Sequence, residues 1–214
     1  MTSLKIAPVD LAALIASRVC HDVISPVGAI ANGLEVLDEE TDPSMRDFAM
    51  DLIRKSARQA SVKLQFSRLA FGASGGAGAQ IDMADAGRCA GEFLEREKAN
   101  LDWQVDAQML PKAEAKILLN LLLLGANTIA RGGTLTVGAT QAENGVTISV
   151  VAAGDRARLS DSVRTVLLSG EVPEQLDAHS VQPLYAVMLA EEVGLGFEIA
   201  EEEGKVSFLA RPKA

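Results

Sequence analysis

The chain has 214 residues, 48% of them apolar, and a formal net charge of -9. That much apolar material builds real cores in one large domain or two small ones and excludes general disorder, while the negative balance excludes nucleic-acid binding through overall charge. No apolar run approaches the roughly 20 residues that span a bilayer, and residues 1–6 lack a signal-peptide core, so a cytoplasmic protein with no membrane contact is expected.

The first helix is expected from near Asp10 to about Glu40. Cys20, Val23, Val27, Ile30, Leu34 and Leu37 recur at alternating spacings of three and four, the seam of a helix buried against a partner helix. His21 and Ser25 fall one turn apart on an outward flank of that helix. Asp22 stands beside the histidine, where it can hold the imidazole tautomer. Pro26 removes an amide and crowds the carbonyl of Asp22, so a bend is expected there. From the pattern alone, His21 is either a presented nucleophile or a surface residue on a bent helix. Cys20 on the seam and Cys89 in a later helical pattern show no metal spacing and read as buried thiols, without a disulfide.

Asp42 and Pro43 cap a second helix with an apolar stripe from Met45 to Leu64, ending near Phe71. The short turn makes the pair an antiparallel hairpin. A hairpin has a one-sided core, so two of them are expected to form a dimeric four-helix bundle, and hence a homodimer. The second helix carries Arg54, Lys55, Arg58, Lys63 and Arg68 with no acidic residue between Leu52 and Phe71. Counting back from the turn places Lys63 level with His21 and Arg58 level with Ser25. Such a run is either a partner-docking face or a solvated one.

The glycine-rich stretch 72–80 is a linker, dividing a helical domain, residues 1–74, from a second domain, residues 80–214. Beyond it, helices are expected over 82–100, 111–129, 162–168 and 181–193. Strands are expected over 101–105, 134–139, 146–151, 196–200 and 205–210, with a hairpin turn at Asn144 and Gly145. This order gives an α/β sandwich, one mixed sheet with helices on a single face. Trp103 reads as core, and His179, which lacks a following proline, as a capping or surface residue.

The string His21-Asp22-Val23-Ile24-Ser25-Pro26 resembles the phosphoacceptor box of histidine kinase dimerisation domains. The longer run from Ser17 to Ile30, with Arg68-Leu69-Ala70-Phe71-Gly72-Ala73 and Asp177-Ala178-His179-Ser180-Val181-Gln182-Pro183, resembles the ChpT-type histidine phosphotransferases of alphaproteobacteria. Residues 118–122 leading to 132–137 are similar to the ATP-binding domain of histidine kinases, with three departures. The family's magnesium-binding asparagine position holds Leu124, which cannot ligate a hard cation. The adenine-recognising aspartate box falls at 152–156, where alanine replaces the aspartate and Arg156 the second glycine. The phosphate lid before Val181 has no glycine pair.

The resemblance implies a phosphorelay histidine phosphotransferase. His21 would be the phosphoacceptor, supported by Asp22 and Ser25, with Arg18, Arg58 and Lys63 as candidate partner-contacting cations. It implies no cofactor of the protein's own, magnesium being supplied by the receiver domain. The implied partners are receiver domains of a CckA-like hybrid kinase and of CtrA-like and CpdR-like response regulators. Two alternatives stay open: an active kinase with an unusual nucleotide pocket, which calorimetry with magnesium and nucleotide would detect, and a non-catalytic receiver-binding scaffold, in which His21→Ala would keep function.

Overall fold

The computed structural model describes residues 6–73, 76, 78–95, 97–143, 145–172, 176–177 and 180–213. Helix α1 is Pro8–Glu39 and α2 is Pro43–Phe71. α1 starts earlier than expected because Pro8, pre-set in φ and needing no donor, occupies the first turn, leaving Asp10 inside it. At the turn, Asp42 accepts from the amides of Ser44 and Met45. The Ser44 hydroxyl and Met45 amide, the former first, hold the Asp42 carboxyl below its usual range. Arg46 reaches back to the carbonyls of Leu37 and Glu40, satisfying the open end of α1.

The two helices meet where small residues let the backbones close. A Cβ on Gly33 would fall 2.7 Å from Cγ1 of Ile53. Pro26 and Gly33 are buried on α1, and Ala49, Ser56 and Ala60 on α2. Of the three-four seam, Val23, Ile30 and Leu37 are half-buried, so only part of it is covered within the chain. Cys20 is exposed, Val27 and Leu34 are 47% and 50% exposed, and Phe48 on α2 is 66% exposed. The hairpin thus presents an apolar strip, and Cys20, expected as a buried thiol, lies on it. These residues also make α1 the one described helix long and apolar enough to cross a membrane, with a mean hydropathy of 1.3 over 18 residues. Arg18, His21 and Asp22 interrupt its apolar residues, so it is not an unbroken apolar run.

The second domain comprises β1 (Gln80–Asp82), α3 (Met83–Leu94), β2 (Ala99–Val105), β3 (Met109–Pro111), α4 (Lys112–Thr128), β4 (Gly133–Ala142), β5 (Gly145–Ala153), α5 (Asp161–Ser169), α6 (Val181–Glu192), β6 (Leu195–Glu202) and β7 (Lys205–Pro212). Five strands form a mixed sheet in the order β2-β4-β5-β7-β6, with only β2 and β4 parallel. A parallel pair needs a crossover, which α4 supplies. One sheet face buries Leu135, Val137, Ile148, Val150, Val206 and Phe208 among the helices, whereas Asp102, Gln104 and Thr136 form a polar ladder on the other. Trp103 is packed against the core, and a Cβ on Gly87 of α3 would fall 2.8 Å from its ring.

Two elements depart from expectation. β1 and β3 pair as a separate antiparallel ribbon. The helix expected over 82–100 stops at Leu94, and Lys98 adopts φ 58° before β2 begins. Asn144, Ala178 and His179 lie outside the described residues.

Candidate functional site

Halfway along α1, the His21 side chain is 58% exposed. Its Nδ1 is 3.5 Å from Oδ1 of Asp22. The other Asp22 oxygen accepts a 3.0 Å hydrogen bond from Nε of Arg18, one turn earlier. Arg18 is only 8% exposed. Within the chain its guanidinium fixes the carboxylate that stands next to the imidazole. Ser25, one turn beyond His21, is exposed. Pro26 is buried within a helix that continues on both sides of it. A rigid helix thus presents the imidazole outward while a buried arginine anchors its neighbour.

The second domain closes over this anchor. Arg18, Asp22 and Lys63 share a cavity of about 210 Å³ with Phe93, Glu97 and Asn127. Lys63 therefore lies beside Asp22, near where counting along the hairpin expects it. Arg58 and Lys63 also line a groove of about 600 Å³ whose far wall carries Glu92, Glu95 and Glu97. Sequence reasoning missed that the basic face of α2 looks across at an acidic helix end. The cluster of three glutamates at 92–97 is its only trace in the sequence, and nothing local links it to α2.

Asn120, Leu124 and Ala152, which fall in the stretches that resemble kinase nucleotide motifs, are buried. Asn120 is fully buried, and its Nδ2 donates to the carbonyls of Ala70 at 3.2 Å and Lys116 at 2.9 Å. Nε2 of Gln182 donates to the Asn120 carbonyl at 3.1 Å, drawing the first turn of α6 onto α4. Leu124, Ala152, Val181 and Leu184 are all buried to 3% exposure or less. Asp155 and Arg156 line a separate cavity of about 430 Å³ with Arg131. Among the described residues no three or more His, Cys, Asp or Glu side chains group as metal ligands.

Residues 83–205 match the family model for the histidine phosphotransferase C-terminal domain. Over 206 residues the chain is 44% identical to Protein phosphotransferase ChpT of Brucella abortus (strain 2308), covering 96% of this chain and 97% of that protein. The chain belongs to the ChpT family of histidine phosphotransferases. A 1.7 Å structure of a bacterial phosphotransferase superposes with a TM-score of 0.86 at 43% identity, over 97% of this chain and 98% of that one. A structure of full-length ShkA in complex with AMPPNP gives a TM-score of 0.50 at 18% identity, covering 96% of this chain and 45% of that one, a likeness in fold alone. As a ChpT-family protein the chain is a phosphotransferase of a phosphorelay, with a helical hairpin joined to a kinase-like α/β domain.

Proposed function

We propose that His21 carries the phosphoryl group, taking it from an aspartyl phosphate on one receiver domain and passing it to the aspartate of another. The observation that carries this reading is the exposed imidazole beside a carboxylate that Arg18 holds in place. With the Nδ1 proton turned toward Asp22, Nε2 keeps its lone pair for attack. The N–P bond forms as the acyl-phosphate O–P bond breaks, and the receiver's aspartate leaves as carboxylate. The reverse sequence delivers the group to the second receiver. Such a loose transition state asks mainly for alignment and charge stabilisation, and the receiver brings magnesium for the latter. Ser25 borders the path of the incoming group, and Arg58 and Lys63 offer cations to an acidic receiver pocket.

The protein works without ATP of its own in this reading. Leu124 in place of the magnesium-binding asparagine and Ala152 in place of the aspartate support it, because neither side chain can ligate a cation or hydrogen-bond a base. The exposed strip of Val27, Leu34 and Phe48 supports a homodimer in which two hairpins complete a four-helix bundle. The receivers are those of a CckA-like hybrid kinase and of CtrA-like and CpdR-like regulators, in the cytoplasm. Mixing the protein with a phosphorylated receiver tests the reading: acid-labile, alkali-stable label should move onto this chain, and no label without added nucleotide would refute it.

A further inference from the structure

Behind the hairpin, where the linker meets the second domain, lies a cavity of about 710 Å³ lined in part by Phe71, Lys112, Lys116, Tyr185, Leu189 and Val193. It belongs to none of the groups used in phosphotransfer. Lys116 is its unusual member, since only 5% of the residue is exposed. Its Nζ is 3.1 Å from the Tyr185 hydroxyl and 5.8 Å from the centre of that ring. Among the described residues no carboxylate oxygen comes within 4 Å of it. Among the described residues the ammonium thus has a neutral hydroxyl and no carboxylate in direct contact, with Glu192 acting on it only from farther away. Burial and then the charge of Lys112, one turn earlier on α4, push the Lys116 amine below its usual range, and Glu192 opposes them.

Apolar and aromatic groups stand next to this cation. The Phe71 and Tyr185 rings lie 5.8 Å apart, the first from the end of α2 and the second from α6, so the cavity straddles the two domains. Glu114 and Glu192 also line it, which leaves two cations facing two anions. That balance disfavours a multiply charged guest such as a triphosphate, while the buried Lys116 beside apolar and aromatic groups is where a single negative charge on an apolar body would be met.

We propose that this cavity is a binding site for a small organic monocarboxylate, its carboxylate on Lys116 and its apolar part against Phe71, Tyr185 and Leu189. A charge-assisted hydrogen bond to Lys116 would supply a counter-charge in direct contact. Because one wall is the end of α2, an occupied site would also tie the linker region to the second domain. No group of the His21 site takes part, so this proposal and the phosphotransfer reading stand or fall separately.

Benzoate is a suitable probe, with inorganic phosphate as the comparator. Titration of the full chain, followed by melting temperature and by NMR shifts of the Tyr185 ring, should show saturable benzoate binding that stabilises the fold. Lys116→Met, which keeps the volume and removes the charge, should still fold and should lose about tenfold or more in benzoate affinity, roughly the loss of one charge-assisted contact. Tyr185→Phe is a second variant that should keep benzoate and lose only the hydroxyl contact. No saturable benzoate binding to the wild type would overturn the proposal, as would equal binding by Lys116→Met. Phosphate binding more tightly than benzoate would overturn the assigned ligand class.

Discussion

Nε of Arg18 lies 3.0 Å from Oδ2 of Asp22, and the other oxygen of the same carboxylate lies 3.5 Å from Nδ1 of His21. The pair is largely withdrawn from water, with side-chain exposures of 10% and 21%. Removing Arg18 would leave the carboxylate without its charged donor and free to turn away from the imidazole. Arg18→Ala should therefore cost about 1.5–3 kcal/mol of stability and slow phosphotransfer by roughly tenfold, with Arg18→Lys recovering part of the rate. Rapid-quench transfer from a phosphorylated receiver measures this, and an unchanged rate in Arg18→Ala would remove Arg18 from the mechanism.

The exposed strip on the hairpin leads to an expectation about assembly. Leu34→Asp adds a charge at a position half exposed in the single chain, so the chain should fold, but pairing would bury an unpaired ion at a cost of several kcal/mol. Sedimentation should show a dimer for the wild type and a monomer for the variant. Cys20 gives an independent readout, since it is exposed in the single chain and sits on the same strip. Its alkylation should slow as protein concentration rises, whereas Cys89, whose thiol burial pushes upward in pKa, should react only on unfolding. A monomeric wild type at micromolar concentration would contradict the dimer.

The Asn120 amide joins the last turn of α2 to α4, donating to Ala70 and to Lys116. Asn120→Asp replaces that donor with a charged acceptor aimed at two carbonyls. The loss should be about 1–3 kcal/mol or more, lowering the melting temperature by about 2–4 °C for each kcal/mol in a chain of this size. A melting temperature equal to that of the wild type would show that Asn120 does not bind the two domains together.

Lys63 lies in the cavity beside Asp22, while Arg54 is paired with Asp51 at 3.6 Å on an exposed part of α2. Lys63→Glu and Arg58→Glu should both slow transfer at low salt, Lys63→Glu by about tenfold, and Arg54→Glu should not. The difference should shrink as the Debye length falls to about 8 Å at physiological ionic strength. Equal rates for all three variants at low salt would leave the basic face without a docking role.

Much of this architecture was legible in the sequence because the decisive signals are local. Asp42 and Pro43 announce the hairpin turn, and alternating apolar residues announce the strands of the five-stranded sheet. The ribbon of β1 and β3 escaped because three-residue strands are too short to show a period. Histidine, aspartate and proline at fixed spacing marked the site, and the structure keeps His21 and Ser25 outward. The pair of Arg18 and Asp22 is also local, since a spacing of four puts the two side chains on one helix face. The three-four seam is legible as apolar, but not which half of it stays exposed: Pro26, Gly33 and Ala49 are buried where the helices meet, Val23, Ile30 and Leu37 are half-buried, and Cys20, Val27 and Leu34 are left outside. The acidic wall opposite α2 could not be read at all, because it depends on how two domains pack.

The central claim is that phosphate travels through one imidazole. A receiver carrying labelled phosphate should transfer it to the wild-type chain without nucleotide, and the label should be acid-labile and map to His21. His21→Gln should still bind the receiver and still assemble, and should take up no label. Persistent labelling of His21→Gln would contradict the account.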